Sequence, residues 1–160
     1  MELTLHNIET RIYTLRGLQV MLDSDLADMY QAETKYINRA MIRNPFRFPP
    51  GFALQLTGDE WSALRCQIGT LNVKAGRGQH RKYSPRVFTE QGVFMLSAVL
   101  KSDRAIQVCI RIMQAFVAMR KTMGQLHDVI RRLEGVEQKQ WLTDTRLDGV
   151  IKALPQIKIA

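Results

Sequence analysis

Cysteine is scarce in this sequence. Cys66 and Cys109 are the only two, and they lie far apart. No CxxC pair exists, so neither a zinc site nor a disulfide framework is expected, and a reducing cytoplasm suits the chain. Histidine is as sparse. His6, His80 and His127 are scattered and form no HxxxH or HExxH pattern. Acids are outnumbered, 15 Asp and Glu against 23 Lys and Arg, and they form no cluster on which a metal-dependent nuclease could be built. Gly76-Arg77-Gly78 lacks the remainder of a phosphate-binding loop. Long apolar runs are missing too. The richest, Val93 to Leu100, is far too short to span a bilayer. The opening MELTLHNIETR carries acid and no apolar core, so it is not expected to act as a signal peptide. These absences lead to the expectation of a soluble cytoplasmic protein that is not an enzyme. No cofactor, no metal and no membrane partner are expected.

What is present is an ordinary globular balance. Of 160 residues, 46% are hydrophobic and 24% charged, which excludes wholesale disorder. The length suits one domain with an appendage and allows a core without staples. The net charge of +8 says nothing about fold, but it favours a polyanionic partner.

Residues 8–23 read as a hairpin around Arg16-Gly17, with Ile12, Tyr13 and Leu15 on one strand and Val20 and Leu22 on the other. Residues 24–44 read as two helices. Asp23 or Ser24 would cap the first, Gln31-Ala32-Glu33 would break them, and Thr34 would cap the second, which ends at Pro45. Phe52–Leu56 alternates as a short strand. Thr57 and Glu60 then form a capping box for a helix whose apolar side is Trp61, Leu64, Cys66 and Ile68. On that face Cys66 reads as core rather than nucleophile. The eight methionines read as gap fillers at helical core spacing. Residues 70–86 form a loop rich in glycine and basic residues. A strand at Arg86–Thr89, a helix capped by Thr89 and running through Leu100, and a helix capped by Ser102 or Asp103 follow. In the last, Ile106, Cys109, Ile112, Met113, Phe116 and Val117 are expected to be buried.

The pattern over Asp23–Met41 fits a helix-turn-helix. Ala27 is the small residue that lets the second helix cross closely, and Leu26, Tyr30, Ala32, Ile37 and Ala40 supply the apolar offsets. The turn lacks the usual glycine, and a plain αα-hairpin fits the spacing equally well. Lys35, Asn38, Arg39 and Arg43 are expected to share the face opposite Ile37 and Met41. Arginine can grip guanine with two donors and asparagine can pair with adenine, whereas lysine serves as a phosphate charge. A merely solvated charged face is the alternative.

From Lys35 to Arg86 the basic residues also include Arg47, Arg65, Lys74, Arg77, Arg81 and Lys82, against only Asp59 and Glu60. The basic loop at 74–86, interleaved with Gly76, Gly78 and Tyr83, is suited to follow a phosphate backbone. A flexible solubilising loop is its plainer reading.

The tail differs in pattern. Leu126, Val129, Leu133, Val136, Gln140, Thr143, Leu147, Val150 and Leu154 are spaced alternately three and four apart, which is a heptad seam. Gly124, Gly135 and Gly149 weaken it locally, and Pro155 ends it. The seam predicts a homo-oligomer and leaves two and four strands open.

The run Leu22-Asp-Ser-Asp-Leu-Ala-Asp-Met-Tyr30, with Asn38-Arg-Ala40, Arg43-Asn44, Arg47-Phe-Pro49, Phe52, Phe88-Thr-Glu-Gln-Gly-Val93, Met95-Leu-Ser97 and Ala105, resembles the phage ORF-six-N domain. That family is a relative of the KilA N-terminal domain. Gly51 and Cys66 stand where its pattern carries an acid and a serine. The resemblance covers about residues 8 to 121 and implies a DNA-binding domain of phage, prophage or bacterial regulatory origin, of the kind found in antirepressor-like proteins.

The combined expectation is an α+β fold. A small helix-turn-helix-like domain with short β-hairpins, residues 1–121, precedes a helical oligomerisation tail, residues 122–160. The helix at 34–44 would enter the major groove of duplex DNA, the loop at 74–86 would hold phosphates, and the tail would pair chains. The alternative is an antirepressor-like module whose main partner is a repressor protein.

Overall fold

The computed structural model describes residues 4–71 and 84–154. The fold is α+β. In chain order it comprises α1 (Leu5–Glu9), β1 (Ile12–Leu15), β2 (Leu18–Leu22), α2 (Asp23–Tyr30), α3 (Thr34–Ile42), a 3-10 turn (Pro45–Arg47), β3 (Ala53–Gln55), α4 (Gly58–Leu71), β4 (Arg86–Thr89), α5 (Glu90–Leu100) and α6 (Asp103–Ala153). Met1–Ala118 and Met119–Ala160 are two compact units. No helix among the described residues is long and apolar enough to cross a membrane.

The four strands form one antiparallel sheet in the order β1-β2-β4-β3. The hairpin turn places Arg16 and Gly17 at φ 50° and 75°. Two positive-φ residues match the right-handed twist of the flanking strands, and only glycine adopts that region freely. The expected hairpin is shorter than residues 8–23. Ile8 and Glu9 belong to α1, whose first turn is closed by Thr4 Oγ1 accepting from the Asn7 amide, and Ile8 is wholly buried.

Alternation along the strands gives the sheet two buried faces. Val20, Leu22 and Val87 join Leu56 and Leu64 in one cluster, flanked by Tyr13, Leu15, Leu54, Trp61 and Ile68. Met21 and Phe88, opposite one another across β2 and β4, occupy the other face and are fully buried, as are Leu26, Ile37, Leu96, Ile112 and Phe116 from the helices. Phe48 meets Phe88 edge to face at 6.3 Å. Gly92, in the first turn of α5, is fixed by a close approach. A Cβ there would lie 2.0 Å from the Phe52 carbonyl oxygen, which accepts from the Thr89 amide and hydroxyl.

Several helix boundaries and faces differ from the sequence reading. Leu22, not Asp23 or Ser24, is the N-cap of α2, and Glu33, not Thr34, is that of α3. Neither makes a side-chain capping bond. Cys66 is exposed, because α4 turns Leu64, Trp61 and Ile68 toward the sheet and leaves position 66 on the far side. Helix α4 continues through Leu71, so the expected loop does not begin at 70. Only Ala53–Gln55 of the Phe52–Leu56 strand joins the ladder. In α6 the buried stripe is Ala105, Val108, Cys109, Ile112, Ala115 and Phe116. Ile106 and Val117 lie off that stripe and are 54% and 49% exposed, and Met113 is half-buried. Helix α6 runs unbroken through Gly124, Gly135 and Gly149.

Candidate nucleic-acid interface

Helices α2 and α3 are joined without glycine. Gln31 takes the left-handed conformation at φ 54°, the Ala32 amide donates to the Ala27 carbonyl, and the Gln31 amide donates to that of Asp28. This pair of bonds is a Schellman closure, with glutamine where glycine is usual. Ala27, 2% exposed, is the small residue at the crossing, and Ile37 is the fully buried anchor of α3.

A polar network then fixes the orientation of α3. Asp23, in the first turn of α2, is 3% exposed. Its Oδ2 accepts from Asn38 Nδ2 at 2.8 Å and from the Arg86 amide at 3.3 Å. Arg86 in turn donates from its guanidinium to Asn38 Oδ1 at 3.4 Å. The start of a helix favours a carboxylate, and these donors meet the cost of burying it. One carboxylate thus ties α2, α3 and β4 together. Asn38 does not share the outer face with Lys35, Arg39 and Arg43. It is half-buried and turned toward Asp23, because on a helix it falls nearer Met41 than the outward arginines.

Lys35, Arg39 and Arg43 are exposed, and Arg47 is exposed on the 3-10 turn that follows. Lys35 forms an ion pair with Glu33, whose carboxyl is held below its usual range by that lysine's hydrogen bond and charge. The sequence reading missed the apolar residues on this surface. Tyr36 is 55% exposed, Ile42 59% and Phe46 100%. The available signal was helical phase. Tyr36 and Ile42 fall on the same side of α3 as Arg39, and Phe46 follows Pro45 at the end of the helix. An exposed helix face mixing guanidinium groups with an aromatic ring and an aliphatic side chain can contact both phosphates and base edges.

Lys74, Arg77, Arg81 and Lys82 lie outside the described residues. Arg65 is exposed on α4. The residues expected to form the seam are all exposed, Leu126, Val129, Leu133, Val136, Gln140, Leu147 and Val150 along α6 and Leu154 just past its end. Among the described residues no three His, Cys, Asp or Glu side chains come together in a way that could hold a metal ion.

No curated protein and no solved structure gives a significant match to this chain. The ORF6N domain family does match, over residues 10–99, a span that begins just before β1, takes in the sheet, α2, α3 and α4, and closes near the end of α5. With more than half of its length matched, the chain belongs to the ORF6N domain family.

Proposed function

We propose that this is a cytoplasmic, non-catalytic DNA-binding regulator of phage or prophage type, which needs no cofactor. The observation that carries the reading is the division of α3 into two sides. Asn38 and Ile37 lock one side to the domain, while Lys35, Arg39 and Arg43, continued by Arg47, stand exposed on the other. A helix held rigidly by its inner face and basic on its outer face suits insertion into a major groove. The basic residues at 74–82 would add phosphate contacts, and self-association through the tail would set two such helices on neighbouring half-sites.

Selection of bound sequences from a random duplex pool tests this directly. Enrichment of a two-fold symmetric motif is the expected result. If about six phosphates are contacted, affinity falls roughly 10³-fold between about 50 and 200 mM salt. A binding constant flat across that range would refute DNA binding.

A second reading is favoured by Tyr36, Ile42 and Phe46, which give the same surface an apolar content that a protein partner could cover. In that reading the chain is an antirepressor-like module acting on a repressor. It would bind a repressor in a DNA-free mixture and show no enrichment in the pool selection.

A further inference from the structure

Helix α6 extends to Ala153, and its last part shows an exposed apolar face. The seam contains Leu126, Leu133, Gln140, Leu147 and Leu154 at one core position and Val129, Val136, Thr143 and Val150 at the other. Counting back along the same three-four spacing gives Thr122, Met119, Ala115, Ile112, Val108 and Ala105. Four of these, Ala105, Val108, Ile112 and Ala115, belong to the buried stripe of α6 in the first unit. One heptad register therefore serves both parts of the helix.

That register fixes which residues flank the seam. The position just before the leucine-type core residue holds Arg132, Lys139 and Arg146 in the middle of the seam, with uncharged Gln125 and Ala153 at its two ends. The position after each valine-type one holds Ile130, Glu137, Asp144 and Ile151. One flank is basic, and the charged residues of the other are acidic. In a parallel pair of helices aligned residue for residue, each flanking residue of the first kind faces one of the second kind in the next heptad of its partner. Arg132 then meets Glu137 of the other copy, and Lys139 meets Asp144. In an antiparallel pair like flanks face each other. Aligned so that Gln140 and Thr143 share a layer, such a pair sets Lys139 against Arg146 and Glu137 against Asp144. Flanking charges of this kind set orientation and partner choice.

The polar layer fixes the register. Thr143 donates its hydroxyl to the Lys139 carbonyl of its own helix at 2.9 Å, so its methyl group can enter a seam. Gln140 has longer reach, and its amide would be placed against leucine by a slip of one heptad. Matched with itself, it can exchange hydrogen bonds with its copies.

We infer that residues 126–154 associate with a second copy of this chain in parallel and in register. The inference rests on the self-association in the functional proposal above. Parallel tails bring the chains that lead into them to one end of the assembly, where two α3 helices can serve one DNA site.

The test uses the full chain carrying Val129→Cys in a Cys66→Ser background, with Cys109 left buried. Parallel, in-register tails place the two cysteines at 129 side by side, so mild oxidation converts most of the chain to a covalent dimer. An oligomer that does not cross-link there, but does when mixed with a chain carrying Leu154→Cys, is antiparallel and overturns the inference while sparing self-association. A chain that sediments as a monomer at tens of micromolar overturns both, and leaves DNA binding by the first unit untouched.

Charge reversal gives an independent readout on exposed residues. Glu137→Lys with Asp144→Lys raises the dissociation constant roughly tenfold or more at low salt, because it creates like-charged pairs only in the parallel arrangement. Adding Arg132→Glu and Lys139→Glu to the same chain restores it. An unchanged constant in the first variant would overturn the parallel arrangement.

Discussion

At position 38 the amide nitrogen sits 2.8 Å from the Asp23 carboxylate, whereas the next residue, Arg39, is exposed. Two neighbours of similar promise for base recognition thus have different work. Replacing Asn38 by alanine removes a donor from a carboxylate that is 3% exposed. The expected loss is about 1–3 kcal/mol of folding stability, read as a fall in melting temperature, with equal weakening on specific and random duplexes. Arg39→Ala should leave the melting temperature nearly unchanged and cost about 1–3 kcal/mol at a specific site, if it grips a guanine, with little loss on random DNA. Equal losses on both DNAs for Arg39→Ala would reduce it to a phosphate contact. The sequence could not reveal the role of Asn38. Its partner Asp23 also bonds the Arg86 amide, 63 positions away, and such pairing follows from the sheet topology rather than from any local pattern. Asp23 itself reads as a helix cap by residue type, and only the tertiary contacts turn it into the link between α2, α3 and β4.

Among the elements, α4 shows what local sequence does convey. The Thr57 hydroxyl accepts from the Glu60 amide at 3.2 Å, and the Glu60 carboxylate accepts from the Thr57 amide at 2.9 Å, the reciprocal closure expected from those residue types at that spacing. The hairpin turn and the Thr89 cap of α5 were legible for the same reason, since each is decided within a few residues. The exposure of Ile106 and Val117 was not, because a helix with apolar residues on more than one side leaves the choice of stripe to its neighbours. Nor was the second partner of Glu60. Arg16, at the tip of the hairpin, donates Nε and Nη2 to the two carboxylate oxygens at 2.6 and 2.9 Å. The Arg16 hydrogen bond, followed by that of the Thr57 amide, pulls the Glu60 carboxyl down from 4.5 to about 2. A group whose folded pKa is depressed contributes stability above its unfolded value and loses it as pH falls through the folded one. The contribution of Glu60 is therefore full above about pH 5 and fades toward pH 2. Melting curves of the parent and of Glu60→Gln should differ most near neutrality and converge across that interval. A gap independent of pH would show that the carboxylate charge is not what α4 and the hairpin share.

For the whole molecule, the question is what the chain gains from a helix that continues far beyond the matched domain. Leu126, Val129, Leu133, Val136, Leu147, Val150 and Leu154 are each at least half exposed, although the helix that carries them is continuous with one that is buried on the same heptad register. Covering such side chains is worth roughly 1.5–3 kcal/mol apiece when complete, so partner helices have ample driving force. Met123, Ile130 and Ile151 extend the apolar face to one flank of the seam, making it wider than the two-residue stripe of a dimeric coiled coil. Leucine and β-branched valine alternate in an order that leaves two and four strands open, and the mass in solution distinguishes them. If copies join this way on DNA as proposed, a second half-site contact becomes an intramolecular event, which multiplies affinity by about 10²–10⁴ without any new contact to DNA. Removing residues 122–160 should therefore give a monomer that binds a single half-site as the parent does and loses most of that factor on a two-half-site duplex. Sedimentation and a paired titration on the two duplexes check both parts. If the shortened chain kept the full affinity for the double site, recruitment of the second copy would have to come from the first unit or from the DNA itself.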